Sequence, residues 1–292
     1  MATLNTAIGN RRAPKRPKQR EEQINWKVTT ALVVCSLSIL LPLYLAVAMP
    51  FKSNQQASAG SGFSFPWPLQ FGNFKVAWET VGFGKALFFS VVIAIIAVSG
   101  SFIVSSMAAF AIVRNWDNKF YRYSYFYLLA AMFIPFPVVA LPQVQLTAFL
   151  HLDNPIGVGL LHILFGMSFN ILLYTAFLRS VPFELEECAR LDGCSTWVVF
   201  RRIILPLLGP MNATVGIFAF LASWNDFMMP AIITANPAQQ TLPVVQQLFA
   251  NALTTNYNIA FSSYLMAMAP TLVVYVLAQR WVMSGVTQGA IK

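Results

Sequence analysis

The sequence predicts an all-α polytopic membrane protein, with six transmembrane helices and a helix–turn–helix presented on the cytoplasmic side. Three observations carry this expectation. Only 10% of the 292 residues are charged and 57% are hydrophobic, with a mean hydropathy of +0.63; a soluble domain carries about 25% charged residues. The apolar residues form separated blocks, each near the roughly 20 that a helix needs to cross a hydrocarbon core. The basic residues outside those blocks collect on alternate connections, as they do on the cytoplasmic side of a membrane protein.

The blocks are Thr29–Pro50, Ala86–Val113, Tyr123–Ala148, Ile156–Phe177, Leu207–Ile233 and Phe261–Met283. Backbone polar groups in lipid must pair within the segment or within a closed barrel. These runs are continuous rather than alternating, which excludes the barrel. Sixteen of the nineteen Lys and Arg residues lie on one side: in the tail before Trp26 and at Lys27, at Arg114, Lys119 and Arg122, at Arg179, Arg190, Arg201 and Arg202, and at Arg280 and Lys292. The other side holds Lys52, Lys75 and Lys85, and residues 234–260 carry no charge. Both termini are therefore expected in the cytoplasm. The net charge of +9 follows from this asymmetry. Nucleic-acid binding is not expected, because the basic tail contains prolines and no interleaved aromatics.

Residues 1–25 read as a disordered basic tail, 26–284 as the membrane domain and 285–292 as a C-terminal cytoplasmic tail. The first span is too long and too uniformly apolar for a cleaved signal despite Ala46-Val47-Ala48, so it reads as an anchor. Arg11-Arg12 is followed by Ala13-Pro14 rather than apolar residues, which argues against a twin-arginine signal. Cys35, Cys188 and Cys194 lie in a span or on the cytoplasmic side and imply no structural disulfide; they have no metal-ligand spacing. The outer loop after the first span has a Gly/Ser-rich part, and Phe71–Thr80 is expected at the interface. Ser101, Ser105 and Ala109 in the second span have the spacing that lets helices pack closely in lipid. Pro135, Pro137 and Pro142 predict a kinked or broken third span. Such a break, with Gln143 beyond it, either lines a pathway or serves packing alone.

The stretch 181–206 is the most polar interruption in the C-terminal half, with seven charged residues among the nineteen from Glu184 to Arg202. Pro182 marks a helix start, and Glu184, Glu186 and Glu187 suit its positive end. Asp192-Gly193 breaks the helix. Ser195 or Thr196 caps a second helix to about Ile203, and Pro206 ends or kinks it where the chain re-enters the membrane. The product is a short helix–turn–helix fused to the fifth span. It reads as a docking element for another protein or as an amphipathic loop on lipid head groups.

The pattern Glu187-Cys188-Ala189, three residues, Gly193, nine residues, Ile203-Ile204-Leu205-Pro206 resembles the EAA loop of ABC-importer permeases, with Cys188 in place of the first alanine. Asp192 matches as well. Trp224-Asn225-Asp226-Phe227 with Pro230 is similar to the fifth span of sugar-importer permeases, and Thr241-Leu242-Pro243-Val244 resembles their last outer loop. Gly285–Lys292 resembles the terminal signature of the maltose-type (MalG-like) family, lacking its trailing glycine. The resemblance covers most of the chain after about residue 80. It implies a type I ABC importer permease in a bacterial-type cell membrane. Its implied partners are a second homologous permease, two cytoplasmic ATPase subunits and an extracytoplasmic solute-binding protein, with a sugar as substrate and lipid around the spans.

The same resemblance implies roles. Glu187 would pair with a basic residue in a groove of the ATPase, Ala189 would pack closely and Gly193 would form the turn. Glu184, Cys188, Asp192, Ile203, Leu205 and Pro206 complete the coupling loop. Gln288, Gly289 and Lys292 would reach between the ATPase subunits. The outer loop, 234–260, would meet the binding protein through Gln239, Gln240, Thr241 and Pro243. No G-x-x-x-x-G-K-[ST] loop occurs, so no cofactor is expected in this chain and ATP-Mg belongs to the partner ATPases. His151 and His162 stand isolated in the sequence, and no hydrolytic set accompanies them; an enzyme is not expected. Asp226 is an acid within a span, where charge is costly and by default functional. With Asn225, Asn170 and Ser168 it either lines a polar path or makes a helix–helix hydrogen bond that orders the bundle. Recurrence of its motif in permeases of differing substrates favours the bond. The other transport readings are a permease for another polar solute and an ion-coupled transporter, the latter needing mid-membrane ionisable residues and repeated halves.

Overall fold

The computed structural model describes residues 26–58, 60–251 and 256–290. The basic tail, 1–25, and Lys292 lie outside the described residues. The chain divides into two units, Met1–Leu43 and Tyr44–Lys292. Most of helix α1 (Trp26–Ala48) belongs to the first; its large apolar side chains from Leu32 to Leu43 are exposed. A helix apolar all round and exposed is built for lipid.

The second unit is helical throughout its ordered elements. After α2 (Asn54–Ser58) and α3 (Gly72–Thr80) comes a long helix, α4 (Phe83–Arg114). Then follow α5 (Lys119–Ala131), α6 (Phe136–Phe149), α7 (Pro155–Leu178), α8 (Glu184–Leu191) and α9 (Thr196–Leu207). The chain ends with α10 (Gly209–Trp224), α11 (Met228–Ile233), α12 (Leu242–Asn251) and α13 (Tyr257–Ala290). Among the described residues, four helical stretches are long and apolar enough to cross a membrane, and two bent pairs raise this to six.

Two of the spans are bent, the third as its prolines predict and the fifth near the kink expected at Pro206. The third is broken between α5 and α6 by 104°. Pro135 takes extended backbone at the start of α6, and Pro137 falls in its first turn, where a missing N–H is tolerated. The fifth is broken twice. A 76° bend separates α9 from α10, and a second break separates α10 from α11. There Asn225 Nδ2 donates to the Leu221 carbonyl at 2.9 Å, and Asp226 Oδ1 accepts from the Met228 and Met229 N–H groups at 3.0 and 3.4 Å. These short polar side chains serve the backbone in place of the helix.

The core is built on α4 and α7. Ser101, Ser105 and Ala109 are all buried, so the small-residue spacing does serve packing. A Cβ on Gly100 would come within 2.0 Å of Ile163 Cδ1, and one on Gly159 within 2.8 Å of Ile96 Cγ2. The two backbones approach closely because these positions lack a side chain. Helix α4 carries one π-helical turn at Ser101–Ser105. Helix α10 packs beside them, with Gly216 facing the Phe102 ring and Asn212 Oδ1 accepting from the buried Tyr174 hydroxyl at 2.7 Å. Trp224 Nε1 donates to the Ala267 carbonyl of α13 at 3.2 Å.

The outer loop is more ordered than its Gly/Ser composition suggests. Lys52 is fully buried, and its ammonium donates to the Ser61 and Gly62 carbonyls at 3.1 and 2.6 Å and to Ser64 Oγ at 3.2 Å. Burial lowers its pKa from the usual lysine value. Residues 72–80, expected at the interface, form a helix packed on α13. Asn73 Nδ2 donates to the Pro50 and Lys52 carbonyls, and Asn258 Nδ2 donates to Asn73 Oδ1 at 3.0 Å. Helix α13 has 34 residues, about 51 Å at 1.5 Å each, well beyond a hydrocarbon core of about 30 Å. The expected tail from Gly285 is therefore helical as far as Ala290, with Gln288 and Gly289 on its last turns.

Candidate coupling and translocation site

The coupling segment follows the predicted helix–turn–helix with changed boundaries. Helix α8 starts at Glu184, after Phe183 rather than at Pro182. It ends in a Schellman motif: Cys194 N–H donates to the Ala189 carbonyl and Gly193 N–H to the Arg190 carbonyl, both at 3.0 Å. Gly193 sits at φ +81°, a conformation that costs glycine nothing. Ser195, not Thr196, caps α9, its Oγ accepting from the Val198 N–H at 3.4 Å. Helix α9 runs past Ile203 to Leu207 through a π-helical turn at Phe200–Ile204. The bend falls at Leu208, two residues beyond Pro206. Pro206 lies in the first turn of the short α-helical stretch that follows the π turn, where its missing N–H is tolerated.

One face of this segment is buried in the bundle, and the other is exposed and mixed, with Leu185, Leu191 and Trp197 beside its charges. Glu184, Glu187, Cys188 and Asp192 are exposed. Ala189, Val199, Phe200, Ile204 and Leu208 are buried in one cluster with Ala109, Phe110, Ile171, Tyr174 and Leu178, and Ile203 and Leu205 pack at its edge. Ala189 thus makes its close packing within the chain. Pro206, Arg201 and Arg202 are exposed.

Glu186, which motif reading left without a role, is fully buried. Its Oε1 accepts from Arg114 Nε at 2.6 Å, pairing α8 with the end of α4. Arg114 is therefore not a free loop charge. Its guanidinium also lies 5.5 Å from the centre of the Phe183 ring. Arg179, by contrast, stacks on Trp116 at 4.4 Å.

The four candidate path residues are not brought together. Asn170 lines a cavity of about 350 Å³ with Ser101, His162, Phe165, Phe169 and Phe218. Asp226 connects to it through His162, whose Nε2 lies 3.3 Å from Asp226 Oδ2. His162 is thus not isolated: the cap that Asp226 Oδ1 makes for α11 turns its second oxygen toward α7. Asn225 lies in a separate recess of about 210 Å³ with Pro243, Gln246 and Tyr264. Gln143 is half-buried on α6 and lines neither. Ser168 is buried away from both. The cavity at Asn170 thus has aromatic walls with a few polar groups, from Ser101, His162 and Asn170.

In the loop expected on the outer side, Ala235 to Ala238 form the exposed tip. Gln239, Gln240 and Pro243 are half-buried and Thr241 is buried. Leu242 N–H donates to Ser90 Oγ at 2.9 Å, and Gln246 Nε2 to the Ser263 carbonyl at 3.1 Å. This part of the loop is held down on α4 and α13. Lys292 lies outside the described residues, and among the described residues no three His, Cys, Asp or Glu side chains are grouped to hold a metal ion.

Comparison with known proteins places this geometry. Residues 101–288 match the family model described as a binding-protein-dependent transport system inner membrane component. The chain is 32% identical over 279 residues to the multiple sugar-binding transport system permease protein MsmG of Streptococcus mutans, covering 94% of this chain and all of that one. It is 29% identical over 260 residues to the probable starch degradation products transport system permease protein AmyC of Thermoanaerobacterium thermosulfurigenes, covering 89% and 94% of the two chains. Its fold matches a chain in the crystal structure of a bacterial ABC transporter that imports the acidic polysaccharide alginate, with a TM-score of 0.74 and 21% identity over 87% of this chain and 95% of that one. A second structure, of an alginate ABC transporter in complex with an alginate pentasaccharide-bound periplasmic protein, matches with a TM-score of 0.64 and 17% identity over 87% and 92%. A multi-pass helical bundle, a charged segment rooted in its core and a family match over most of its length leave one assignment: the chain belongs to the inner membrane components of binding-protein-dependent transport systems.

Proposed function

We propose that this permease serves an ATP-driven importer of a neutral sugar or oligosaccharide, forming half of the path with a second, homologous permease. Two cytoplasmic ATPase subunits hold ATP-Mg and hydrolyse it, and this chain catalyses no reaction itself. An extracytoplasmic binding protein delivers the sugar at the face that carries Ala235 to Ala238 and the adjoining Gln239 and Gln240. Both termini are cytoplasmic, in keeping with the sixteen basic residues on that side.

The observation that carries the reading is the two-faced coupling segment. Its apolar face is sunk in the cluster around Tyr174 and Leu178, while Glu184 and Glu187 stand free on the other. The exposed side carries these carboxylates beside Leu185, Leu191 and Trp197, a mixed acidic and apolar surface that suits a groove on a protein with basic and apolar walls better than anionic head groups. Glu187 is the ion-pair residue toward the ATPase, and Gln288, Gly289 and Lys292 follow between its subunits. A push on the segment then moves the spans as packed bodies. The cavity at Asn170 and His162 supports a neutral ligand, since amide, imidazole and hydroxyl groups match sugar hydroxyls.

The test is a purification followed by a ligand screen. Affinity capture of the full chain should bring down an ATPase subunit and a second permease. The accompanying binding protein should rise in thermal midpoint with at least one neutral di- or trisaccharide. Capture without any ATPase would support an ion-coupled transporter instead, and a binding protein stabilised only by charged solutes would overturn the sugar.

A further inference from the structure

We propose that Arg114 and Glu186 form a permanent latch, which keeps α8 and the cytoplasmic end of α4 together throughout the transport cycle. On this view Glu186 is a positioning residue for coupling, while its neighbours Glu184 and Glu187 meet the partner. The inference rests on the reading of α8 and α9 as the coupling segment and adds the route by which its motion reaches the bundle.

Four observations support it. Glu186 alone among the three acidic residues of α8 is buried, and the side chain of Arg114 is only 11% exposed. Their contact is short, 2.6 Å from Nε to Oε1. The second atom of each group, Arg114 Nη2 and Glu186 Oε2, is buried as well and has no other hydrogen-bond partner among the described residues. No other cation among the described residues pairs with Glu186: Arg190 is exposed and lies over Phe183 at 5.9 Å, and Arg179 stacks on Trp116 at 4.4 Å. Each charge of the pair therefore depends on the other.

Physics then favours permanence. The pair is tolerated together, but separating it strands the fully buried Glu186 as an uncompensated ion. A transport cycle that opened the pair would meet that penalty at every turnover. The second attachment is apolar. Ala189, one turn along from Glu186, is buried in the cluster that α4, α7 and α9 share. The other connection is the 76° bend between α9 and α10. Force on α8 thus has two outlets: through the latch into α4 and its close seam with α7, and through α9 and Leu208 into α10. The first runs through a charged contact and a close helix seam, and the second through a bent connection.

The experiment uses the whole complex of this chain with its second permease and ATPase subunits. Cys35, Cys188 and Cys194 are replaced by serine or alanine, and spin labels are placed at Asp117→Cys and Leu191→Cys, both exposed positions. Pulsed electron paramagnetic resonance should give one distance, identical with and without ATP-Mg. In Glu186→Gln the distribution should broaden and become sensitive to ATP-Mg. The charge swap, Arg114→Glu with Glu186→Arg, should return the single insensitive distance. A wild-type distance that shifts with ATP-Mg overturns the latch, as does an unaltered distance in Glu186→Gln. Should that variant fail to assemble, the swap decides: a restored distance supports the pair, and an unassembled or broadened complex overturns it. Absence of any ATPase from the wild-type preparation would sink the functional reading itself, whereas a moving distance in an intact complex sinks the latch alone.

Discussion

Replacing Gly157 by alanine should destabilise the protein far more than the same change at Gly100, although both sit on helices of one seam. A Cβ at Gly157 would lie 1.8 Å from the Leu152 carbonyl oxygen and 2.7 Å from its carbon. That carbonyl cannot swing away, because Leu152 N–H is bonded to the Thr147 carbonyl at 2.8 Å and Asn154 caps the start of α7 through the Ile156 and Gly157 N–H groups. The backbone would have to move by about 1 Å or more, and overpacking of this kind costs about 1–3 kcal/mol, sometimes more. At Gly100 the nearest atoms are Ile163 Cδ1 at 2.0 Å and Cγ1 at 2.7 Å, both of a side chain that can turn about χ1 without moving backbone. Turning it off its rotamer costs about 0.5–1.5 kcal/mol, and alanine returns about 0.5–1 kcal/mol over glycine in a helix. The expected net is about 1–2 kcal/mol or more lost for Gly157→Ala, where backbone must move, and near zero for Gly100→Ala. Thermal midpoints of the purified protein in detergent, read by fluorescence size-exclusion after heating, measure both. Equal midpoints, or a greater loss at Gly100, would refute the reasoning.

Asp226→Asn keeps an oxygen to cap α11 but removes the charge facing His162, so uptake should fall while assembly persists. Asp226→Ala also loses the cap, at about 0.5–2 kcal/mol, and should lower the thermal midpoint as well; unchanged uptake in both variants would take Asp226 off the path. Leu208→Ala empties a fully buried site at the bend between α9 and α10 and should cost about 2–5 kcal/mol. A midpoint equal to wild type would show that the bend is not packed as described.

Much of the fold was legible because lipid imposes length and continuity on the sequence. The break in the third span could be read from Pro135 and Pro137. The break after Trp224 could not be read from hydropathy, since Phe227 to Ile233 continue the apolar run; the signal was the Asn225-Asp226 pair, two residues that bond readily to nearby backbone. The coupling turn was legible at Gly193. The division of labour between Glu186 and Glu187 was not, because a motif gives residue order and not which face is buried. The spacing of Glu186 and Ala189, one helical turn apart, was the available hint. The His162–Asp226 contact joins residues far apart in sequence on different helices, and no local pattern announces it. The same holds for the partition of Asn170 and Asn225 into separate recesses.

The central claim is that the exposed carboxylate face of α8 meets a separate ATPase. A cysteine at position 187, in a background free of the three native cysteines, tests it most directly when crosslinked within native membranes. The account predicts a single crosslinked product that contains an ATPase subunit and is lost when that subunit is withheld. Adducts to lipid alone, with the ATPase present in the same membranes, would contradict it.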